Sequence, residues 1–255
     1  MRNALLLLLG LHGSAFATWS VIAIDQNTRQ VAMAAASCVD TADNTMRDAI
    51  AVIVPGKGAA ACQAAADNTH QNQKLVFAEL QKGTEPSRII EMLSADPQFQ
   101  SRQFGIIDMQ GRAAAHSGLL NSFETLAVHG QVPGTGIFYE VQGNTIRSGA
   151  IRKAAKALAD AKGSITDRVM AALEAGDANG GDVRCSCPAA PALPCDNKHA
   201  HVAFILLANP TDTEGKYSLY ITVSQPSPDH PQGAKPGESL NPVKTLRMRY
   251  DAGRG

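Results

Sequence analysis

Ala15-Phe16-Ala17-Thr18-Trp19-Ser20-Val21-Ile22-Ala23-Ile24 is the stretch from which the fold can be read. To its left, Met1-Arg2 supplies a short positive end and Ala4 to Leu11 is apolar except for Gly10. Ala15 and Ala17 are the small residues a signal peptidase accepts at the minus-three and minus-one positions. The apolar run falls short of the roughly 20 residues that span a bilayer. Residues 1–17 are therefore expected to be a signal peptide, in preference to a buried N-terminal helix or a cut after Ala15 that would leave Phe16 first. To the right, Thr18 to Ile24 reads as a strand, beginning directly at the cleavage point. Cleavage there would make Thr18 the first residue. Its hydroxyl is a latent nucleophile, and its α-amine is a base within the same residue. Such amines ordinarily titrate at roughly 7.7–8.0, so a useful fraction is unprotonated near neutral pH.

Downstream, Val31 to Cys38 reads as a second strand, joined to the first by the turn-rich Asp25-Gln26-Asn27-Thr28-Arg29. Its run of small apolar residues suits a strand covered on both faces. Ala49 to Val54 and Ala59 to Ala66 are expected as two more strands around Pro55-Gly56-Lys57-Gly58. Helical spacing follows over Asn72 to Lys82, stopped by Gly83, and again from Pro86 with Ile89, Ile90 and Leu93 on one side. Arg102 to Asp108 and Arg112 to His116 read as a hairpin. Helices are expected at about 147–162 and 165–175, strands at 201–207 and 217–223, and a last helix at 243–250. The Pro- and Gly-rich residues 225–242 read as an exposed connection. Blocks of strands alternating with helix pairs predict an α+β fold of two sheets covered by helices, in one domain over 18–255.

Composition removes several function classes. Lys and Arg number 23, Asp and Glu 23, so no net charge favours nucleic acid or a membrane surface. Alanine and glycine are abundant while aromatic residues are only 5%, which suits closely packed layers. No phosphate-binding glycine loop, Walker pattern or His-Glu-x-x-His is found, and no cofactor is expected.

Several pieces, in order, resemble one family. They are Thr18-Trp19-Ser20-Val21-Ile22-Ala23, Ala36-Ser37-Cys38, Gln63-Ala64 and Gly105-Ile106-Ile107-Asp108. Then come Gly111-Arg112-Ala113-Ala114-Ala115-His116-Ser117-Gly118, Val141-Gln142-Gly143-Asn144, Ala175-Gly176, Gly180-Gly181-Asp182 and Asn241-Pro242-Val243 with Leu246. Together they resemble the bacterial domain of unknown function 1028 family, which is grouped with N-terminal nucleophile (Ntn) hydrolases on fold similarity. Members of that family typically begin Met-Thr-Phe-Ser, where removal of methionine would free the same threonine. The resemblance implies a four-layer αββα sandwich and names no substrate. Superfamily members often assemble, so a homo-oligomer is among its implications. The Cys185 to Asp196 stretch looks like an insertion relative to the family, spanning about 185–197.

On this reading Thr18 is the nucleophile, and Asn144 is the side-chain candidate for holding an oxyanion, with Gly143 permitting close approach. Ser37 is a candidate group facing the nucleophile, and His116 one that orients or polarises a substrate. Asp182 and Arg184 are candidates for a charged substrate group, or for pairing with each other. The expected function is an exported amidohydrolase, periplasmic or extracellular, cleaving a C–N bond of a small or peptide-like substrate. The alternative is a non-catalytic exported binding or envelope protein on the same scaffold.

The five cysteines are read for an oxidising compartment. Cys195 with Cys185 or Cys187 would close a short loop, and Cys38 with Cys62 could bridge neighbouring strands, leaving one thiol over. Two competing readings are weaker. One is a zinc site drawn from Cys185, Cys187, Cys195, His199 and His201, whose spacing is unusual for zinc. The other makes Cys38 a nucleophile.

Overall fold

The computed structural model describes residues 15–16, 18–41, 44–65, 67–121, 124–226 and 232–253. The expected signal peptide therefore lies outside the described residues, except for Ala15 and Phe16. In chain order the elements are β1 (Ala15–Phe16), β2 (Thr18–Asp25), β3 (Gln30–Ser37), α1 (Thr45–Ile50), β4 (Ala51–Val54) and β5 (Gly58–Ala65). Next are α2 (Gln71–Lys82), α3 (Pro86–Leu93), β6 (Arg102–Asp108), β7 (Ala113–Ser117), β8 (Leu126–Gln131) and β9 (Ile137–Asn144). The chain continues with α4 (Ala150–Asp160), α5 (Ile165–Ala178), β10 (Val202–Ala208), β11 (Leu219–Val223) and α6 (Pro242–Ala252).

The strands form two antiparallel sheets. A 6-stranded sheet has the order β11-β10-β3-β2-β9-β8, with the β2–β3 hairpin at its centre. The 5-stranded sheet runs β1-β5-β6-β7, with β4 also pairing β5. The hairpin turn is held by the Asp25 carboxylate, which accepts from Asn27 N–H at 2.9 Å and from the Thr28 hydroxyl at 2.9 Å.

Side-chain alternation explains the layering. On β2, Trp19, Val21 and Ala23 pack with Leu158, Val169 and Leu173 of α4 and α5, while Ile22 and Ile24 pack with Met33, Ile107 and Phe204 between the sheets. On β5 and β6, Ala60, Cys62, Phe104 and Ile106 face Val76, Leu80, Ile89 and Leu93 of α2 and α3. The small residues of β3 let α5 lie close. Gly176 on α5 has no side chain because one would strike the indole of Trp19, whose N–H donates to the Leu173 carbonyl at 3.2 Å. Local signals agree with these elements. A capping box of Ser164 and Asp167 starts α5, Pro86 opens α3, and Gly83 in the left-handed conformation ends α2.

Three expectations need correction. The strand expected from Ala49 begins at Ala51, because Met46 and Ile50, four apart, bury one face of a short helix first. Strands β8 and β9 have no counterpart in the sequence reading. Glu140, Gln142 and Asn144 of β9 are polar yet buried between the sheets, while Ile137 and Val141 are buried on the helix side, so polar residues do not mark an exposed face here. The connection at 225–242 is not exposed at its end, where Ser239 and Asn241 are buried, and the Asn241 amide donates to Asp177 at 2.8 Å.

Candidate functional site

Thr18 is the first residue of β2, in the middle of the larger sheet. It pairs directly with Ser37 on β3 and with Asn144 on β9. Residues directly opposite in a sheet share a face, so Thr18, Ser37 and Asn144 form a row whose side chains point between the sheets. Thr18 is 1% exposed and Ser37 0%. The facing sheet brings Gln63 from β5 and Gln103 from β6, themselves a cross-strand pair.

These residues form a buried hydrogen-bonded cluster. The Gln63 side-chain amide donates to the Thr18 carbonyl at 3.0 Å and to Gln103 Oε1 at 2.9 Å. Ser20, two residues along β2, donates to Gln63 Oε1. Gln103 Oε1 also accepts from Asn144 Nδ2 at 3.2 Å, and Gln103 Nε2 donates to the Gly143 carbonyl at 3.0 Å and to Ser117 Oγ at 3.0 Å. Each amide in the chain orients the next, so the Asn144 amide, on the Thr18 row, is held with Nδ2 towards Gln103. Ser37 Oγ accepts the Val39 N–H at 3.2 Å. Ser20 and Gln63 lie in pieces that carry the family resemblance but are not read from the sequence as site residues, and Gln103 is not singled out at all. Gln63 is the large polar side chain in Gly58-Ala-Ala-Ala-Cys-Gln-Ala-Ala, where every residue is buried, and that contrast was the available signal.

The remaining predicted residues lie elsewhere. His116 pairs with Phe104 on the helix-covered face of β7, stacks on Phe99 with ring centroids 3.6 Å apart and makes a 3.0 Å hydrogen bond with the Phe99 carbonyl. It points away from Thr18, because its neighbour Ser117 takes the inner face. Gly143 also serves the opposite face. A side chain there would collide with Ile146 and Ile151, so its close approach is to the helix layer and not to a substrate. Asp182 and Arg184 pair with each other at 2.7 Å. Asp182 is 0% exposed and accepts the Cys38 N–H at 2.9 Å, which ties it to the end of β3.

The disulfides are Cys38–Cys185 and Cys187–Cys195. The second is one of the short loops expected. The Cys38–Cys62 bridge that the sequence leaves open is not formed, because Cys62 faces α2 and α3 while Cys38 follows a strand of the other sheet. Cys38 is thereby removed as a nucleophile, and Cys185, Cys187 and Cys195 as zinc thiolates. Among the described residues no group of three His, Cys, Asp or Glu is arranged to hold a metal ion. Burial pushes the Cys62 thiol up to about 12, so it is not a nucleophile at neutral pH.

A small cavity of about 40 Å³ opens at Thr18, lined mainly by apolar groups including Val39, Met46, Ala49, Ile50 and Cys62. Two larger clefts are not lined by Thr18. One, of about 660 Å³, is bounded by Asp67, Asn72, Asp96 and Arg102, and the other, of about 420 Å³, by Arg47, His70 and Tyr217. The polar groups of the first are tied together, with Asp96 accepting from Asn72 at 2.6 Å and from Arg102 at 3.0 Å.

Four residues along β9 from Asn144, Glu140 is wholly buried between the sheets, against the bare backbone of Gly105. Neither carboxyl oxygen has a protein hydrogen-bond partner among the described residues, nor does Gln142 Oε1. Burial holds the Glu140 carboxyl well above the usual carboxylate range. The folded state then binds this proton more tightly than the unfolded chain. Stability therefore falls as pH rises from the unfolded value of about 4.3 through the folded one, and is level above it. Glu140→Gln is expected to remove this slope and to raise stability at neutral pH. The gain is about 1.4 kcal/mol for each pH unit by which the titration is displaced. Urea unfolding of both proteins between pH 4 and 8 reads it. Parallel pH profiles would refute the assignment.

Fold and site together define a class: an α+β protein of two facing antiparallel sheets, with a buried amide cluster around a threonine that opens a central strand. The chain belongs to a family described as "Family of unknown function (DUF1028)", whose model matches residues 18–203. The match starts at Thr18 and spans Ser37, Gln63, Gln103 and Asn144. The crystal structure of protein SPO2555 from Silicibacter pomeroyi, to which the same family model is assigned, superimposes with a TM-score of 0.68 at 20% identity. The alignment covers 94% of this chain and 90% of that one. At that identity the likeness concerns the fold alone. No curated protein matches the sequence.

Proposed function

We propose that the chain is an exported N-terminal nucleophile hydrolase, a four-layer αββα sandwich that cleaves an amide-type bond through Thr18. The observation that carries this reading is a coincidence of position. The residue that a signal peptidase would expose is also the residue at which Ser37, Asn144 and the Gln63–Gln103 pair converge. Two disulfides fit an oxidising compartment, and no helix among the described residues is long and apolar enough to cross a membrane.

The chemistry follows from the groups present. Thr18 Oγ attacks the acyl carbon while the free α-amine takes the hydroxyl proton, directly or through a water. The oxyanion is held by Asn144 Nδ2 and by backbone N–H groups. The C–N bond then breaks, and the amine passes its proton to the leaving nitrogen. Water hydrolyses the resulting ester and restores Thr18. Gln63 is a positioning residue. It holds the Thr18 carbonyl, so the residue keeps its place after losing the preceding peptide bond.

Intact mass and N-terminal sequencing of protein recovered from its natural export route test the reading. A mature chain that begins with Thr18 is expected. Any other start, or a retained leader, leaves no free threonine amine and overturns it in favour of the non-catalytic binding protein.

A further inference from the structure

Strand β5 has two edges, and they are used differently. Strand β6 covers one edge from Gly58 to Ala64. On the other edge, β4 covers Gly58 to Ala61, and the two residues of β1 cover Ala64 and Ala65, with Ala15 opposite Ala65 and Phe16 opposite Ala64. At Ala64 and Ala65, therefore, the outer edge of β5 is held by the segment that leaves with the leader, and Cys62 and Gln63 continue that edge towards Thr18.

That segment has a chemical meaning. In the uncleaved chain the leader is an acyl group on the nitrogen of Thr18. In an acyl-enzyme the substrate would be an acyl group on Oγ of the same residue. The two attachment points belong to one side chain and its own backbone, so the leader marks where an extended acyl chain joined to Thr18 can lie. The small apolar cavity opens at the same place, lined by Thr18, Cys62, Gln63 and Ala64 together with Val39 and Ile50. Ala64 has φ of 73°, a conformation unfavourable for alanine and of the kind that re-aims a strand edge beside a site.

We propose that the edge of β5 from Cys62 to Ala65, of which the leader vacates Ala64 and Ala65, binds the acyl side of the substrate. The substrate is then a peptide-like chain, bound extended as an added strand, with a small apolar side chain next to the scissile carbonyl. The proposal rests on Thr18 being the nucleophile and deepens that reading by naming its substrate class. An added strand binds through main-chain hydrogen bonds, and pockets select its side chains.

The test uses the mature protein and a series of aminomethylcoumarin amides: acetyl, acetyl-Ala, acetyl-Ala-Ala, and acetyl-Ala-Ala with its inner amide N-methylated. Acylation of Thr18 by p-nitrophenyl acetate is followed in parallel by intact mass, with Thr18→Ala as the blank. We expect Thr18 to be acylated, and kcat/KM to rise about tenfold or more from acetyl to acetyl-Ala-Ala. N-methylation should abolish most of that gain, since it removes a donor and obstructs strand pairing. If Thr18 is acylated but the four amides react alike, strand addition is refuted and the nucleophile stands. If Thr18 is not acylated by any of these reagents, both fall.

Discussion

Thr18→Ala in the mature chain is expected to lower turnover on the order of 10⁴-fold or more, as loss of a covalent nucleophile does elsewhere. The fold should persist. Residue 18 opens β2, and its backbone is held by β3, by β9 and by the Gln63 amide, none of which needs the hydroxyl. Cutting back a buried threonine to alanine should cost about 1 kcal/mol, within the ordinary range for a point substitution. Thr18→Ser keeps the hydroxyl beside the amine and is expected to retain most of the rate. Hydrolysis rates and thermal unfolding of the three proteins, each confirmed by mass to begin at residue 18, separate the outcomes. An alanine variant that turns over like the parent would show that the convergence on Thr18 is packing and nothing more.

The second large effect concerns the disulfides. Cys38 and Cys185 are 147 residues apart in sequence, Cys187 and Cys195 only 8. In the chain-entropy description, the long closure restricts the unfolded state by about 5 kcal/mol and the short one by about 2.5. Removing Cys38–Cys185 with a double serine variant should therefore lower the urea midpoint markedly more than removing Cys187–Cys195. The long bridge also sits beside the site. Cys38 follows Ser37 directly, and its N–H binds Asp182, which holds Arg184 next to Cys185. Loss of that bridge should loosen the end of β3 as well as destabilise the whole. Equal losses from the two variants would mean that the bridges act mainly through local packing.

Much of the architecture is legible in the sequence because it depends on neighbours. The β2–β3 hairpin is announced by Asp25 to Arg29 between two apolar runs. Helices α2 and α3 show apolar spacing with Gly83 and Pro86 at their bounds, and the β6–β7 hairpin turns at Gly111. Strand β9 fails the same reading because both of its faces are buried and one of them is polar. Glu140, Gln142 and Asn144 are tolerated there only because the facing sheet supplies amides, a carbonyl and the bare backbone of Gly105. The site divides in the same way. Thr18, Ser37 and Asn144 could be named from the chain, and pairing across β3, β2 and β9 sets them side by side.

Adjacent residues alone thus identify the nucleophile candidate, the strand that carries it and the strand beside it, since a cleavage pattern and a short apolar run bounded by a turn are local properties. The surroundings of Thr18 come from packing between distant parts of the chain. Gln63 and Gln103 lie 45 and 41 residues from the groups they hold, Thr18 and Asn144. Cys38 meets Cys185 across 147 residues, and His116 turns to Phe99 because its strand gives the inner face to Ser117. Such contacts depend on how two sheets stack and which face each residue takes. No local spacing encodes either before the layers close.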